Sequence, residues 1–252
     1  KKSNYGTGIV FCGNNLDHFE KIVKIFEESA RNQNLKVLGW RDLPTAPNKI
    51  GKTAREVMPI IKQIFIGNND DSNIENLEQK LYLIRKRFEK ISSEKFDKDT
   101  NHQVYVCSLS STKIVYKGLL TSEQVQEFYL DLQNPNLKSN FGLVHSRFST
   151  NTLGDWKLAH PYRFVAHNGE INTVKGNRNW MSSRESILKS SNYGESIKDL
   201  FPVCDQNDSD TASFDNVVGS GKAIISVSLD LSVPNIDEPS KLIPSLRTFS
   251  NS

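Results

Sequence analysis

The chain has 252 residues, of which 37% are hydrophobic and 24% are charged, so it is long enough to bury a substantial core. Its 32 Lys and Arg residues nearly balance its 29 Asp and Glu residues, which favours no particular partner, and the basic run 85–87 alternates with glutamates, which argues against nucleic acid. No apolar stretch approaches the roughly 18 to 20 residues of a membrane span. Three widely spaced cysteines and five histidines predict neither a disulfide framework nor a metal site.

The amino-terminal part has a strand, helix, strand pattern. Residues 7–11 predict a buried strand, and Asp17 with Glu20 predicts a capping box for a helix that ends near Asn32. Residues 36–40 predict a second strand, which two prolines follow. The chain therefore begins as an α/β protein.

The strongest helical pattern follows a polar loop. Ser72 and Glu75 predict a capping box, and apolar residues then recur every three or four positions, which predicts a helix over residues 73–91. Two apolar runs, 104–110 and 113–118, flank a Ser-Thr pair and predict a β-hairpin.

A third helix and two further strands are predicted next. Thr121 and Gln124 predict the capping box of the helix, and residues 141–149 and 163–169 are strand-like segments that both end in polar residues. No domain boundary is expected before Phe201. A mixed α/β layered domain with polar residues at its sheet edges follows from this order.

The segment 141–185 carries the first candidate for binding chemistry. Arg147 ends the first strand-like segment, where its guanidinium fork could clamp a carboxylate with two parallel hydrogen bonds. An ion pair with a structural aspartate is the alternative explanation for a single arginine.

Asn168 and Gly169 end the second strand-like segment. Asn-Gly is a frequent turn dipeptide, and a turn alone would explain it. The asparagine amide and the glycine backbone N–H could instead point at one position, and two such donors form an oxyanion hole.

Asp210 lies in a Ser-Asp-Thr sequence that either caps a helix over residues 212–218 or offers a carboxylate to an α-ammonium group. An arginine for one end of an amino acid, an aspartate for the other and an oxyanion hole at a side-chain carbonyl form a consistent receptor for glutamine. Each motif has a structural explanation alone, but their co-occurrence favours glutamine chemistry.

These residues carry a specific resemblance. HSRFSTNT (145–152), LAHPYRFVAHNGEINTVKGNRNWM (158–181) and SDTASFDN (209–216) resemble the glutaminase domain of glutamate synthase large subunits. These enzymes are class II glutamine amidotransferases of the N-terminal-nucleophile hydrolase type. Upstream sequence supports the resemblance, which covers about residues 5–218.

The resemblance assigns roles by matching motifs. Arg147 is implied to bind the α-carboxylate of glutamine, Asp210 its α-ammonium group, and Asn168 with Gly169 to form the oxyanion hole. The nucleophile implied is an amino-terminal cysteine whose thiolate attacks the amide and releases ammonia. The ammonia would pass to 2-oxoglutarate at a flavin site and yield a second glutamate.

The resemblance also implies a fold and partners. It implies an α+β, four-layered αββα sandwich, with a partial amidotransferase domain over residues 1–218 that is incomplete at both ends. FMN and an iron–sulfur cluster are implied for a full-length enzyme but not for this fragment. Ferredoxin or an NAD(P)H-oxidising subunit is the implied electron donor. Richness in Asn, Lys, Ser and Ile favours the ferredoxin form and the plastid stroma, with the cytoplasm as the alternative.

Two departures from the family pattern stand out. None of Cys12, Cys107 and Cys204 can be the amino-terminal nucleophile, which predicts that the chain is an internal fragment without glutaminase activity of its own. Residues 219–252 form the second departure: apolar residues alternate with polar ones over 225–231 and predict a strand, and three prolines follow. Two alternatives remain open, namely a glutamine-binding domain that does not cleave its ligand and the glutaminase domain of another amidotransferase.

Overall fold

A computed structural model describes residues 4–68, 74, 76–96, 103–146, 154–167, 171–189, 193–206 and 208–225. Its centre is an antiparallel sheet of four strands, β1 (Tyr5–Cys12), β2 (Lys36–Asp42), β3 (Ile61–Gly67) and β4 (Val104–Val106), in the order β2-β3-β1-β4. Helices pack outside the sheet, so the α+β class is confirmed. Within the described ranges this is the one sheet, and a second sheet of the expected sandwich is not among them.

Strand β3 is not among the predicted elements, although it joins the two halves of the sheet. β3 lies between β1 and β2, and both Ile64 and Ile66 are fully buried. The sequence carries a weak signal for this strand, because the isoleucine-rich run between Pro59 and Gly67 is interrupted by Lys62 and Gln63. The predicted strands β1 and β2 are confirmed.

Helices α1 (Leu16–Arg31) and α3 (Leu77–Lys95) pack together on one face of the sheet. Their central contact is a stacked pair, Phe26 and Phe88, with ring centroids 4.1 Å apart. The predicted capping box of α1 is wrong, because the side chain of Asn15 caps the helix by accepting from the backbone N–H of Asp17. The predicted box of α3, Ser72 with Glu75, lies outside the described residues.

The other face of the sheet packs against short helices. These are α2 (Lys52–Glu56), α4 (Ser122–Phe128) and the 3₁₀ turns Pro47–Lys49 and Leu130–Gln133. Buried Trp156 joins this layer, and its indole N–H donates to the carbonyl of Ala54 at 3.0 Å. The capping box of Thr121 and Gln124 is confirmed at the start of α4.

The predicted hairpin over residues 104–118 is wrong. β4 pairs with β1 instead, and residues 113–118 form no strand. Serine hydroxyls replace the expected ladder, since Ser108 Oγ accepts from the backbone N–H of Val115 at 3.1 Å and Ser110 Oγ accepts from that of Thr112 at 3.1 Å. Such local side-chain bonds compete with sheet pairing.

The strand predictions for 141–149 and 163–169 are also wrong over their described parts. Residues 141–146 and 163–167 have no regular secondary structure. The apolar alternation of the first segment faces solvent, with Phe141 78% and Val144 86% exposed. Alternation indicates a preference for extended backbone, but a strand also requires a hydrogen-bonded neighbour, and these segments do not pair with the described sheet.

Two more helices complete the described chain, α5 (Val174–Glu185) and α6 (Asp210–Ile225), with a 3₁₀ segment Gly194–Leu200 between them. α6 packs against α3, where the Tyr82 hydroxyl and Ser220 Oγ are 2.8 Å apart. Position 218 falls inside α6, so the described backbone continues past the predicted boundary without a break. Of the predicted strand over 225–231, Ile225 ends α6 and the remaining residues lie outside the described ranges.

Candidate functional site

The structure describes one of the four predicted site residues. Asp210 is the first residue of α6, whereas Arg147, Asn168 and Gly169 lie outside the described residues. Their roles therefore stay predictions, and the site is defined by Asp210 and by described residues close to the other three in the sequence.

Ser209 explains why α6 begins at Asp210. The Oγ of Ser209 accepts from the backbone N–H of Ala212 at 3.2 Å, and its carbonyl accepts from the N–H of Ser213 at 2.9 Å. These are the bonds of a helix N-cap. The capping interpretation is thus confirmed, but the cap is Ser209, which leaves the carboxylate of Asp210 available for another contact.

The carboxylate of Asp210 binds the segment that follows Asn168 and Gly169. Its Oδ2 accepts from the backbone N–H of Ile171 at 3.2 Å, and the residue is only partly buried. In the described part of the chain no donor reaches Oδ1. An ionised carboxylate has about four lone-pair sites, so the bond from Ile171 does not prevent Asp210 from accepting from a ligand as well.

Burial and two histidines that neighbour predicted site residues in the sequence, His145 and His167, lower the pKa of His160. The ring of His145, two positions before Arg147, stacks on that of His160 with centroids 4.6 Å apart. The pKa of His160 is lowered to about 4, first by burial and then by the charges of His145, Lys117 and His167. His167 immediately precedes Asn168. Histidines next to Arg147 and Asn168 in the sequence therefore both act on His160, whose imidazole is neutral at pH 7.

Lys117 adds a buried ammonium group to this region. Its side chain is fully buried between the rings of Tyr105 and Tyr162, with Nζ 4.7 and 4.3 Å from the ring centroids. Nζ has no hydrogen-bond partner within the described ranges, and burial lowers the pKa of Lys117 to about 7. Neither Lys117 nor His160 is a predicted site residue, because only the fold brings residues 117 and 160 together.

The three cysteines are free thiols in the protein interior. Cys12, Cys107 and Cys204 are all buried, and burial raises the pKa of Cys107 to about 12 and that of Cys204 to about 11. Burial also raises the pKa of Cys12. A thiol attacks as its thiolate, so none of the three has the environment of a nucleophile.

This burial predicts slow thiol labelling. At pH 8 the native chain should react with Ellman's reagent at fewer than about one thiol per chain within an hour, and with all three cysteines in guanidinium chloride, because the buried thiols stay protonated. Rapid labelling of a cysteine in the native chain would contradict this expectation.

Metal and membrane features were searched in the described ranges. There, no group of three or more His, Cys, Asp or Glu side chains could hold a metal ion. None of the described helices combines the length and apolarity needed to cross a bilayer.

Comparison with known proteins identifies the family of this chain. The family model described as "Glutamine amidotransferases class-II" matches residues 1–234. The chain is 44% identical over 218 residues to the glutamate synthase [NADPH] large chain of Bacillus subtilis (strain 168), covering 86% of this chain and 14% of that protein.

Two further relatives are named as enzymes with other electron donors. The ferredoxin-dependent glutamate synthase of Antithamnion sp. is 42% identical over 85% of this chain and 14% of its own length. The glutamate synthase [NADH] of Saccharomyces cerevisiae (strain ATCC 204508 / S288c) is 40% identical over 91% of this chain and 11% of its own length. The chain thus spans a small part of each relative, while the family match covers most of the chain. The chain belongs to the class II glutamine amidotransferases.

Proposed function

We propose that this chain is the glutaminase portion of a glutamate synthase, which binds L-glutamine and releases its amide nitrogen as ammonia. The supporting observation is the contact between Asp210 Oδ2 and the backbone N–H of Ile171, because it joins the expected ammonium-binding carboxylate to the segment after the expected oxyanion hole. The family match and the relatives named as glutamate synthases support the same assignment.

In this proposal the chain orients glutamine through three groups. The guanidinium of Arg147 holds the α-carboxylate in a bidentate pair, and the carboxylate of Asp210 accepts from the α-ammonium group. Asn168 and Gly169 donate to the amide oxygen as negative charge develops on it. The attacking thiolate belongs to an amino-terminal cysteine, a role that the buried Cys12, Cys107 and Cys204 do not suit.

The ammonia then reacts with 2-oxoglutarate at a flavin site, where reduction gives a second glutamate. FMN would supply the reducing equivalents when bound, with an iron–sulfur cluster delivering electrons to it. In this proposal both groups lie in parts of the enzyme outside this chain.

We infer a ferredoxin-dependent enzyme of the plastid stroma as the finer assignment. Richness in Asn, Lys, Ser and Ile is compatible with an AT-rich plastid genome, and several relatives are named as chloroplastic ferredoxin-dependent enzymes. Relatives named for NADPH and NADH share this domain at similar identity. Turnover of the whole synthase with reduced ferredoxin, compared with NADPH and NADH, tests this inference, and activity with a pyridine nucleotide alone would overturn it.

Replacing Asp210 tests the proposed binding of glutamine. Asp210→Asn should weaken L-glutamine binding by about 10-fold to 100-fold, because a charge-assisted hydrogen bond to the α-ammonium group is lost. Binding of 4-carbamoylbutanoate, which lacks that ammonium group, should change less than about twofold in the same variant. Saturation-transfer NMR with the 252-residue chain measures both affinities without requiring turnover.

Asp17→Asn is the matched control, because Asp17 also lies in the first turn of a helix but is exposed on α1. This control should bind both ligands like the unaltered chain. An Asp210→Asn variant with unchanged glutamine affinity would exclude the ammonium-binding role. An unaltered chain that binds neither ligand would overturn the proposed function.

A further inference from the structure

Arg178 on α5 forms hydrogen bonds with the loop that precedes α6 and with the first turn of α6. Its Nη1 donates to the carbonyl of Gln206 at 3.1 Å, and its Nη2 donates to the carbonyl of Asp208 in a short bond. Its Nε donates to Ser213 Oγ at 2.9 Å. All three nitrogens of one guanidinium are thus used on a single stretch of chain, on either side of Asp210.

These bonds bear on where the Asp210 carboxylate lies. Two of them fix carbonyls within four residues before Asp210, and the third fixes the first turn of the helix that Asp210 begins. The planar fork presents its donors at set angles, which a single ammonium group cannot reproduce. Arg178 therefore restrains the chain both before and after Asp210.

Other bonds also hold this loop, among them the N-cap bonds of Ser209 and a 3.0 Å contact between the hydroxyls of Ser209 and Tyr162. Its described contacts include a backbone bond of 3.3 Å from Asp208 to Asp205 and a side-chain bond of 3.0 Å from Asn216 to Asp208. Asp210 itself contacts Ile171, which lies seven positions before Arg178. Residues after Asn168 and Gly169 therefore act at two places: Ile171 donates to the carboxylate of Asp210, and Arg178 holds the chain on both sides of Asp210.

We propose that Arg178 is a positioning residue for substrate recognition, which holds the loop of Gln206 and Asp208 so that Asp210 meets the α-ammonium group of glutamine. This inference rests on the proposed function. Arg178 does not contact the ligand in this arrangement and acts through the backbone before Asp210. Its loss therefore weakens recognition of the ammonium group and leaves the rest of the binding site intact.

The test compares two ligands that differ at one group. Arg178→Met should weaken L-glutamine binding about tenfold, the equivalent of one charge-assisted hydrogen bond, while 4-carbamoylbutanoate binding changes less than about twofold. Arg178→Lys should fall between Arg178→Met and the unaltered chain. Lys175→Met, which removes an exposed cation from the same helix, is the control and should bind both ligands normally.

Hydrogen exchange supplies a readout that needs no ligand. Backbone amides of residues 208–213 should exchange faster in Arg178→Met than in the unaltered chain, and Ser213→Ala should show a smaller change because it removes one of the three bonds. If Arg178→Met does not fold, Arg178→Lys and Ser213→Ala carry the same comparison.

The outcomes separate this inference from the proposed function. Unchanged glutamine affinity in Arg178→Met, or an equal loss for both ligands, would overturn the positioning role while leaving glutamine binding established. Binding of neither ligand by the unaltered chain would overturn the proposed function and the recognition role with it. Unchanged amide exchange would show that Arg178 does not hold the loop.

Discussion

Asp215→Ala is expected to lower the free energy of unfolding by about 3–5 kcal/mol, because it removes one of the two carboxylates that pair with a buried guanidinium. Asp215 is completely buried on α6, and its Oδ2 accepts from Arg163 Nη1 at 3.2 Å. Its Oδ1 accepts from the backbone N–H of Phe164 at 2.7 Å, so the substitution also leaves a backbone donor without a partner.

The pair connects the candidate site to the sheet. Arg163 also donates to the carbonyl of Val106 on β4 at 2.7 Å and to Glu89 on α3 at 3.3 Å. In the sequence, Arg163 lies five residues before Asn168. Asp215 lies five residues after Asp210 in the same helix. Loss of Asp215 should therefore loosen α6 and lower glutamine affinity along with stability.

Urea unfolding of Asp215→Ala, Asp215→Asn and the exposed-site control Glu27→Gln measures this effect. The control should lie within about 0.5 kcal/mol of the unaltered chain, because surface substitutions seldom cost more. An Arg163→Met/Asp215→Leu double variant should cost less than the two single changes together, because it leaves no unpaired charge between them. Additive losses, or an Asp215→Ala variant as stable as the control, would show that the pair is not coupled.

The elements that sequence could predict are those with local signals. The strand β1 follows from a continuous apolar run, and the capping box of α4 from Thr121 and Gln124 alone. The hairpin failed because Ser108 and Ser110 bind backbone N–H groups that a ladder would have used, and sequence does not show that competition. The strand over 141–146 failed because a strand also needs a partner edge.

In the candidate site, too, local signals could be predicted from sequence and contacts between distant residues could not. The sequence predicted Asp210 as a candidate binding carboxylate. The structure adds that Ser209 supplies the helix cap and that Asp210 contacts Ile171. Arg178 could not be identified in advance, because its partners lie about 30 residues away and two of them are backbone carbonyls. Carbonyl partners carry no side-chain signature, so only the fold reveals them.

Lys117→Met is the second substitution with a large expected effect, and it should stabilise the protein. The ammonium group of Lys117 is fully buried without a hydrogen-bond partner in the described chain. The rings of Tyr105 and Tyr162 offset part of the desolvation cost through cation–π contacts of up to about 2 kcal/mol. An apolar side chain of similar length should raise the free energy of unfolding by about 1–4 kcal/mol at pH 6.

The sign of the pH dependence follows from the lowered pKa. Burial lowers the pKa of Lys117 from 10.5 to about 7, so between these values the unfolded chain binds more protons than the native one. The free energy of unfolding of the unaltered chain should therefore rise with pH above about 7, by up to about 1.4 kcal/mol per pH unit from this group. The titratable and charged groups that interact with the Lys117 ammonium are Tyr105, Cys107, Asp155, His160, Tyr162, Arg163 and Asp215.

Of these neighbours, Cys107 and Tyr162 do not ionise in the native state over this range, because burial raises the pKa of each to about 12. Urea unfolding at pH 6, 7.5 and 9 should therefore show the advantage of Lys117→Met narrowing as the pH rises. Lys24→Met, which removes an exposed lysine from α1, should show no such trend. If Lys117→Met is less stable than the unaltered chain at pH 6, the buried ammonium makes a stabilising contact that outweighs its desolvation.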